Sequence, residues 1–240
     1  MMQKHRDNVH YTQWNLEATA EILGKRFPNS HVWVVRPNEK VLLTFSVYSN
    51  LVPVPDKDLG NPLHEAGFKS WHHLQKLLYN SAQLMKDNTE SNSCEQTSCS
   101  NEQSEVYSML RPLTLVGFSK GCVVLNQLLY DLQEAKEDPE TSEFVKSVRE
   151  MYWLDGGHNG GSNTWIIHKN VLEHLVGLEL EIHCHVTPYQ IKDSFREWIG
   201  KEQKKFVMEL RKMGVKVTNT IHFEEMERSI DNHFQVLTLF

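Results

Sequence analysis

Apolar and polar positions follow two different periods along this chain, and the two periods alternate. Helical spacing of apolar residues covers residues 14–27, 63–85 with a break near Gly67, and 194–213. Short β-rich runs lie between such segments, at residues 31–35, 113–116, 151–154, 179–186 and 215–223. Apolar strands separated by helices predict an α/β fold with a mostly parallel sheet and helices on both faces.

One segment breaks this alternation. Residues 87–105 are almost wholly polar and rich in Ser, Asn, Glu and Gln. Such a segment cannot bury enough apolar surface to order itself, so it is predicted to be a flexible insertion. The next strand must still join the same sheet, and the chain is therefore predicted to form a single domain over residues 1–240. The β-rich stretch 41–48 predicts one arm of a hairpin.

Composition narrows the function classes. The chain has 240 residues and a formal net charge of −6, with no run of Lys or Arg, which argues against a nucleic-acid surface. No apolar run reaches the length of a membrane span, and the polar start of the chain lacks a signal or transit pattern. Four cysteines, at positions 94, 99, 122 and 184, are placed as reduced thiols and form no metal-ligand set.

The most informative motif is Gly117-Phe-Ser119-Lys-Gly121, which follows an apolar strand and precedes an apolar helix. In that context Gly-x-Ser-x-Gly predicts a nucleophile elbow, a sharp turn that lifts the serine hydroxyl above the sheet edge. The backbone N–H of Lys120, the residue after the serine, is the predicted oxyanion donor. The alternative is an ordinary strand–helix turn in which Ser119 serves as the helix N-cap.

An activated serine needs a base and an acid that orients the base. In sheets of this type they follow the serine in the order acid, then histidine, at strand ends. His233, after the last strand, is the predicted base, with His158 as the alternative. Asp193, after the last strand but one, is favoured as the acid, although it also suits a helix N-cap. Asp155 is the alternative acid, after the strand nearest the nucleophile strand.

Neither a cofactor nor a metal is expected. The glycines at 156, 157, 160 and 161 lack the strand–GxGxxG–helix context and the lysine of a phosphate loop. The expected partner is a small acyl or ester substrate, or a protein.

Several strings of residues resemble one known family, the chromosome-two open-reading-frame-sixty-nine family. They are GFSKGCVVLNQLL (117–129), MYWLDGG (151–157), GGSNTW (160–165), HVTPYQ (185–190) and WIGKE (198–202). The resemblance implies an α/β-hydrolase-like protein related to esterases and lipases, located in mitochondria (the matrix) and linked to respiratory-chain function. It carries the nucleophile to Ser119, and it implies no substrate.

The resemblance also points to a difference. Family members begin with a targeting segment, a strand and a glycine-containing loop, which have no match here, so this chain is expected to lack the N-terminal strands. The second oxyanion donor of such hydrolases comes from that missing loop. The missing strand is expected between residues 31–35 and 114–116. Two hypotheses follow: a serine hydrolase, and a catalytically inactive hydrolase fold that serves as a binding or scaffold protein.

Overall fold

The computed structural model describes residues 8–42, 44–55, 60–90 and 112–240. A 3-10 helix, Asn8–Trp14, comes before the first α-helix, and a β-hairpin comes before the second α-helix. The strands are β1 (Glu39–Val41), β2 (Phe45–Val47), β3 (Leu113–Phe118), β4 (Val148–Leu154), β5 (Glu181–Val186) and β6 (Lys216–Ile221). The helices are α1 (Leu16–Arg26), α2 (Ser70–Glu90), α3 (Cys122–Tyr130), α4 (Leu132–Glu137), α5 (Ser142–Ser147), α6 (Lys169–Leu172), α7 (Pro188–Ile191), α8 (Trp198–Lys212) and α9 (Ile230–Leu239).

The main sheet contains four strands in the order β3-β4-β5-β6, and every neighbouring pair is parallel. Phe118 pairs with Leu154 at the carboxyl ends of β3 and β4. Each strand reaches its parallel neighbour through at least one helix, as a parallel connection requires. The predicted α/β class with a parallel sheet is therefore confirmed.

Helices cover both faces of this sheet. On β4, the side chains of Met151 and Trp153 belong to a large apolar core. The alternate residues, Tyr152 and Leu154, pack with Phe240 and its neighbours in α9. Successive side chains of a strand point to opposite faces, so these two clusters lie on opposite sides of the sheet.

Residues 31–35 differ from the prediction, because they form no strand. A cavity of about 1260 Å³ lies between residues 31–36 and the outer edge of β3, and both line it. Within the described ranges, no backbone hydrogen bond joins this segment to β3. Because it makes no backbone hydrogen bond to β3, the segment lies outside the sheet. Among the described strands, β3 is therefore at the edge of the sheet.

The predicted helix 63–85 begins later and ends later than its apolar spacing indicates. Asp131 accepts hydrogen bonds from the backbone N–H groups of Gly67, Phe68 and Ser70, at 2.9, 3.2 and 2.9 Å. This carboxylate holds the preceding turn and satisfies donors at the start of the helix, which therefore begins at Ser70. The helix continues to Glu90, so residues 87–90 of the predicted insertion are helical, and the rest of it, 91–105, lies outside the described residues.

Candidate active site

Ser119 occupies the turn between β3 and α3. Its φ is +51°, a left-handed backbone conformation that a non-glycine residue seldom adopts. Ser119, Lys120 and Gly121 form one 3-10 turn, and α3 follows immediately at Cys122. Within the described residues, the Ser119 hydroxyl makes no capping or other side-chain hydrogen bond. The local geometry is therefore that of a strained strand–helix turn that presents a free hydroxyl.

The two glycines of the motif have different roles. A Cβ on Gly117 would lie 2.8 Å from Leu125 Cδ1 and 3.0 Å from the Cα of Cys122, so only glycine lets the helix approach the strand this closely. A Cβ on Gly121 would meet nothing closer than the Tyr48 hydroxyl at 4.0 Å. Close packing of strand and helix therefore requires a small residue at Gly117, whereas a Cβ at Gly121 would be accommodated.

Asp155 follows β4 directly and is fully buried, with 0% of its surface exposed. Its Oδ1 accepts a hydrogen bond from the backbone N–H of Thr187 at 2.7 Å. Its Oδ2 accepts from the Thr187 hydroxyl at 2.7 Å and lies 2.7 Å from Nδ1 of His233. The φ of Asp155 is +45°. The residues that directly follow β3 and β4, Ser119 and Asp155, therefore both have a left-handed backbone conformation. This carboxylate has the hydrogen bonds expected of a buried ionised acid.

His233 lies in the first turn of α9, which Ser229 caps by accepting a hydrogen bond from the Asp231 N–H. The imidazole is 4% exposed. Its Nδ1 contacts Asp155, which leaves Nε2 as the nitrogen able to exchange a proton with another group. The helix cap therefore sets the position from which His233 reaches the end of β4.

Asp193 does not orient His233, contrary to the preference drawn from the sequence. Its Oδ2 accepts hydrogen bonds from Arg196 Nε at 2.9 Å and from Arg228 Nη2 at 3.0 Å. Two guanidinium groups therefore engage this carboxylate, and the carboxylate on the imidazole is that of Asp155. Chain order alone could not separate the two residues, because both follow strands and both precede His233.

Ser119 and His233 line the same cavity, the one along the edge of β3. The Phe118 ring packs on the imidazole with its centroid 4.8 Å away, which ties the residue before the serine to the base. In the described part of the chain, no hydrogen bond joins the Ser119 hydroxyl to His233. Apo sites often hold this contact open until substrate binds.

Lys120 has two distinct parts. Its backbone N–H belongs to the first turn of a helix, where N–H groups have no partner within the helix. Its ammonium donates to Gly60 O at 2.8 Å and Asn159 Oδ1 at 2.9 Å, and lies 5.7 Å from the centre of the Phe45 ring. Burial lowers the pKa of the Lys120 ammonium to about 8. The side chain therefore contacts two loops and strand β2 around the elbow, while the N–H stays available.

His158, the alternative base, is not among the residues that line the cavity shared by Ser119 and His233. Its Nδ1 accepts a hydrogen bond from the Gly160 N–H at 2.9 Å. Burial lowers its pKa to about 4, with smaller contributions from the positive charges of Lys120 and Arg196. The ring is thus held neutral as part of the glycine-rich loop.

Sequence reasoning missed Thr187, which donates twice to Asp155. The signal was present in the chain, because Thr187-Pro188 is a typical helix start with an N-cap threonine and proline at the first helical position. The side-chain oxygen of Thr187 caps α7 by accepting from the Tyr189 N–H at 3.2 Å, while its hydroxyl proton goes to Asp155.

A group of metal-type ligands lies elsewhere on the sheet. Among the described residues, ligand atoms of Glu150, Glu181 and His183 lie within 4.8 Å of one another. Lys216 already pairs with Glu181 at 3.0 Å, which competes with a cation. Glu150 lies four residues before the end of β4, roughly 13 Å from the elbow at 3.3 Å per residue, so an ion held there would not reach Ser119.

Comparison with known proteins decides the family. The C2orf69 family model matches residues 1–110 and 85–216. The mouse (Mus musculus) protein named mitochondrial protein C2orf69 homolog is 43% identical over 271 residues, which cover 100% of this chain and 74% of the relative. The chain belongs to the C2orf69 family. The human (Homo sapiens) mitochondrial protein C2orf69 is 41% identical over 100% of this chain and 70% of its own length. A zebrafish (Danio rerio) C2orf69 homolog is 41% identical over 98% of this chain and 67% of its own length.

Family membership confirms the resemblance found in the sequence, and the relatives' names confirm the mitochondrial location. They do not distinguish the matrix from other mitochondrial compartments. No solved structure matches the chain. None of the helices within the described ranges combines the length and the apolar character needed to cross a membrane.

Proposed function

We propose that this C2orf69 family member is a serine hydrolase with an α/β-hydrolase-like fold that cleaves an ester or thioester in mitochondria. Ser119 is the nucleophile, His233 the base and Asp155 the acid that orients it. The observation that carries the proposal is the 2.7 Å contact between Asp155 Oδ2 and Nδ1 of His233, a residue that lines the same cavity as Ser119. The chain order serine, aspartate, histidine is that of α/β-hydrolases.

In the acylation step, Nε2 of His233 takes the hydroxyl proton while Oγ of Ser119 forms a bond to the substrate carbonyl carbon. The carbonyl π electrons move to oxygen, and the Lys120 N–H donates a hydrogen bond to that oxyanion. The carbonyl re-forms, the bond to the leaving group breaks, and the protonated imidazole returns its proton to the leaving alkoxide or thiolate. Water then cleaves the acyl-enzyme by the same steps with the acyl group released from Ser119.

Asp155 has an electrostatic task in this sequence of steps. As His233 becomes imidazolium, the buried carboxylate beside Nδ1 stabilises the positive charge and holds the ring in the tautomer with Nε2 free. The two Thr187 donors bind one oxygen each of the carboxylate, which fixes its position. Asp193 has two arginines on its carboxylate and is not proposed as the acid.

A fluorophosphonate probe, which reacts covalently with activated serines, tests the proposal. We expect labelling of Ser119, confirmed by peptide mass spectrometry, and its complete loss in Ser119→Ala. Ser46→Ala is the matched control, because Ser46 lines the same cavity without being at the elbow. Asp155→Asn should slow labelling by about 10³- to 10⁴-fold, since the amide favours the wrong tautomer.

One observation favours a second function, a hydrolase fold that binds a partner without turnover. The Ser119 hydroxyl makes no hydrogen bond to His233 among the described residues. If neither this chain nor the longer mouse relative were labelled at the elbow serine, the hydrolase proposal would be refuted and the binding function favoured. The respiratory-chain link and the matrix location remain predictions from the family resemblance.

A further inference from the structure

The carboxylate of Asp193 is 5% exposed and lies at the centre of a polar cluster beside α7. Besides the two arginines, it accepts a hydrogen bond from the Phe195 N–H at 2.9 Å. Burial on its own would raise the pKa of Asp193, but the hydrogen bonds from Arg196 and Phe195 and the two positive charges lower it below its usual value. The group is therefore a fixed negative charge, held in place on several sides.

Arg228 connects this charge to Tyr189. Its Nη2 donates to Asp193 at 3.0 Å, and its Nε donates to the backbone carbonyl of Tyr189 at 3.0 Å. The guanidinium also lies over the Tyr189 ring, 5.3 Å from the ring centre. A planar guanidinium can make these three contacts at once, whereas a lysine ammonium cannot combine the same fork and stacking geometry. Asp193 thus determines where Arg228, and with it the Tyr189 ring, is held.

Tyr189 in turn forms one wall of the His233 site. Its ring centre lies 4.7 Å from that of the imidazole, with 33° between the planes. The Phe118 ring lies 4.8 Å from the same imidazole, with 31° between the planes. His233 therefore has two aromatic rings within 5 Å of its ring centre, one from the elbow strand and one from α7, and the ring of its neighbour Phe234 lies edge-on at 5.6 Å.

This packing supplies something that the bond to Asp155 cannot. The Cβ–Cγ bond and the hydrogen bond at Nδ1 hold two points of the imidazole, and the ring can still tilt about the line that joins them. Such a tilt moves Nε2, the nitrogen that must meet the Ser119 hydroxyl in the proposed reaction. Two aromatic walls restrict this tilt, because the ring can turn only by displacing one of them.

We propose that Asp193 is a positioning residue, which acts through Arg228 to hold Tyr189 against His233 and thereby keeps Nε2 directed at Ser119. The inference rests on the proposed hydrolase function for its catalytic meaning, but the restraint on His233 is a property of the folded chain and can be measured without turnover. Arg196 serves as a comparison, because it also donates to Asp193 but bonds His158 O at 3.2 Å, whereas Arg228 bonds the Tyr189 carbonyl and stacks on the Tyr189 ring.

The restraint is tested by the NMR signal of the His233 ring protons, assigned through His233→Gln. Two adjacent aromatic rings shift these protons by ring currents, and loss of one wall changes the shift. We expect a changed His233 signal in Asp193→Asn, Arg228→Gln and Tyr189→Leu. Arg196→Gln is expected to retain the wild-type signal, and so is Tyr189→Phe, which retains the aromatic ring. Thermal unfolding identifies any variant that fails to fold, in which case Tyr189→Leu against Tyr189→Phe decides.

The same variants are compared for the rate of fluorophosphonate labelling at Ser119. Asp193→Asn, Arg228→Gln and Tyr189→Leu should slow the reaction about 10- to 100-fold, the cost of a misplaced catalytic group. Arg196→Gln should stay within about threefold of wild type. The probe concentration that gives half-maximal rate should change little, because none of these changes removes a group that contacts the probe.

Two results would overturn the inference: an unchanged His233 signal in Arg228→Gln, or equal effects of Arg196→Gln and Arg228→Gln, which indicate a merely structural ion cluster. An absence of labelling in the wild-type protein refutes the hydrolase proposal instead. The NMR comparison still decides the restraint in that case, so the two failures are distinguishable.

Discussion

The carboxyl ends of β3 and β4 lie side by side, yet the residues that directly follow the two strands have opposite surroundings. Asp155, after β4, is fully buried and holds three hydrogen-bonding partner atoms at 2.7 Å. Ser119, after β3, has a hydroxyl without a hydrogen bond in the described part of the chain and opens on a cavity of about 1260 Å³. An orienting acid must be held in a fixed position, whereas a nucleophile must be accessible to substrate. Asp155 and Ser119 meet these two requirements at the ends of neighbouring strands.

The largest test of this contrast replaces each strand-end residue with glycine. Asp155→Gly removes the acceptor of buried donors on Thr187 and His233, so we expect a loss of about 3–5 kcal/mol in the free energy of unfolding. Ser119→Gly removes no hydrogen bond and relieves a positive φ, so we expect a gain of about 1 kcal/mol. Urea unfolding followed by tryptophan fluorescence measures both, and a shift of both variants in the same direction would contradict the contrast.

A smaller effect is expected from truncating one apolar residue on each strand. Ile182 on β5 is 0% exposed between two paired strands, so Ile182→Ala should cost about 3–4 kcal/mol through lost burial and a residual void. Leu115 on β3 is only partly buried and lines the open cavity, so Leu115→Ala should cost about 1 kcal/mol. The two values come from the same urea titration. Equal losses would show that the edge strand is packed as firmly as the interior one.

A third test uses acid. The pKa of His158 is lowered to about 4 by burial, so between pH 6.5 and pH 4 the unfolded chain binds a proton that the folded chain does not. The contribution of His158 to stability is therefore intact above pH 6.5 and lost as pH falls toward 4, by about 2 kcal/mol at pH 5. His158→Asn keeps an acceptor for the Gly160 N–H and should reduce this acid dependence, leaving the part due to His64 and His185, whose pKa values burial also lowers to about 4. His31→Gln, at an exposed position along the cavity, is the control, and an unchanged slope in His158→Asn would refute the assignment.

The sequence was sufficient for much of the fold. The strand predicted at 113–116 is present, because a short apolar run between polar segments has few alternatives, and it extends two residues further, to Phe118. The stretch 41–48, predicted as one arm of a hairpin, holds the turn and the second arm of a hairpin whose first arm is Glu39–Val41. The strand predicted at residues 31–35 is absent. These residues have a β-rich composition, but a strand also needs a neighbouring strand within hydrogen-bonding distance.

The site was predictable by position but not by partner. Asp155 and His233 were expected near Ser119 because all three follow strands, and parallel strands end at one edge of the sheet. In the structure Asp155 contacts His233, which lines the same cavity as Ser119. The choice between Asp155 and Asp193 depends on which of the two carboxylates binds Arg196 and Arg228. Arg196 lies three residues from Asp193, but Arg228 lies 35 residues away, and no local pattern in the chain indicates that contact.

The outer edge of β3 has a further consequence for how this protein behaves in a concentrated solution. The six residues Leu113–Phe118 include no charged side chain and no proline, and within the described ranges no strand pairs with that edge. Uncharged edge strands are templates for pairing with another molecule, and Lys or Pro on the strand is the usual protection. Loss of soluble protein should therefore rise steeply with concentration. The strand that presents the nucleophile is also the part of the sheet most exposed to self-association.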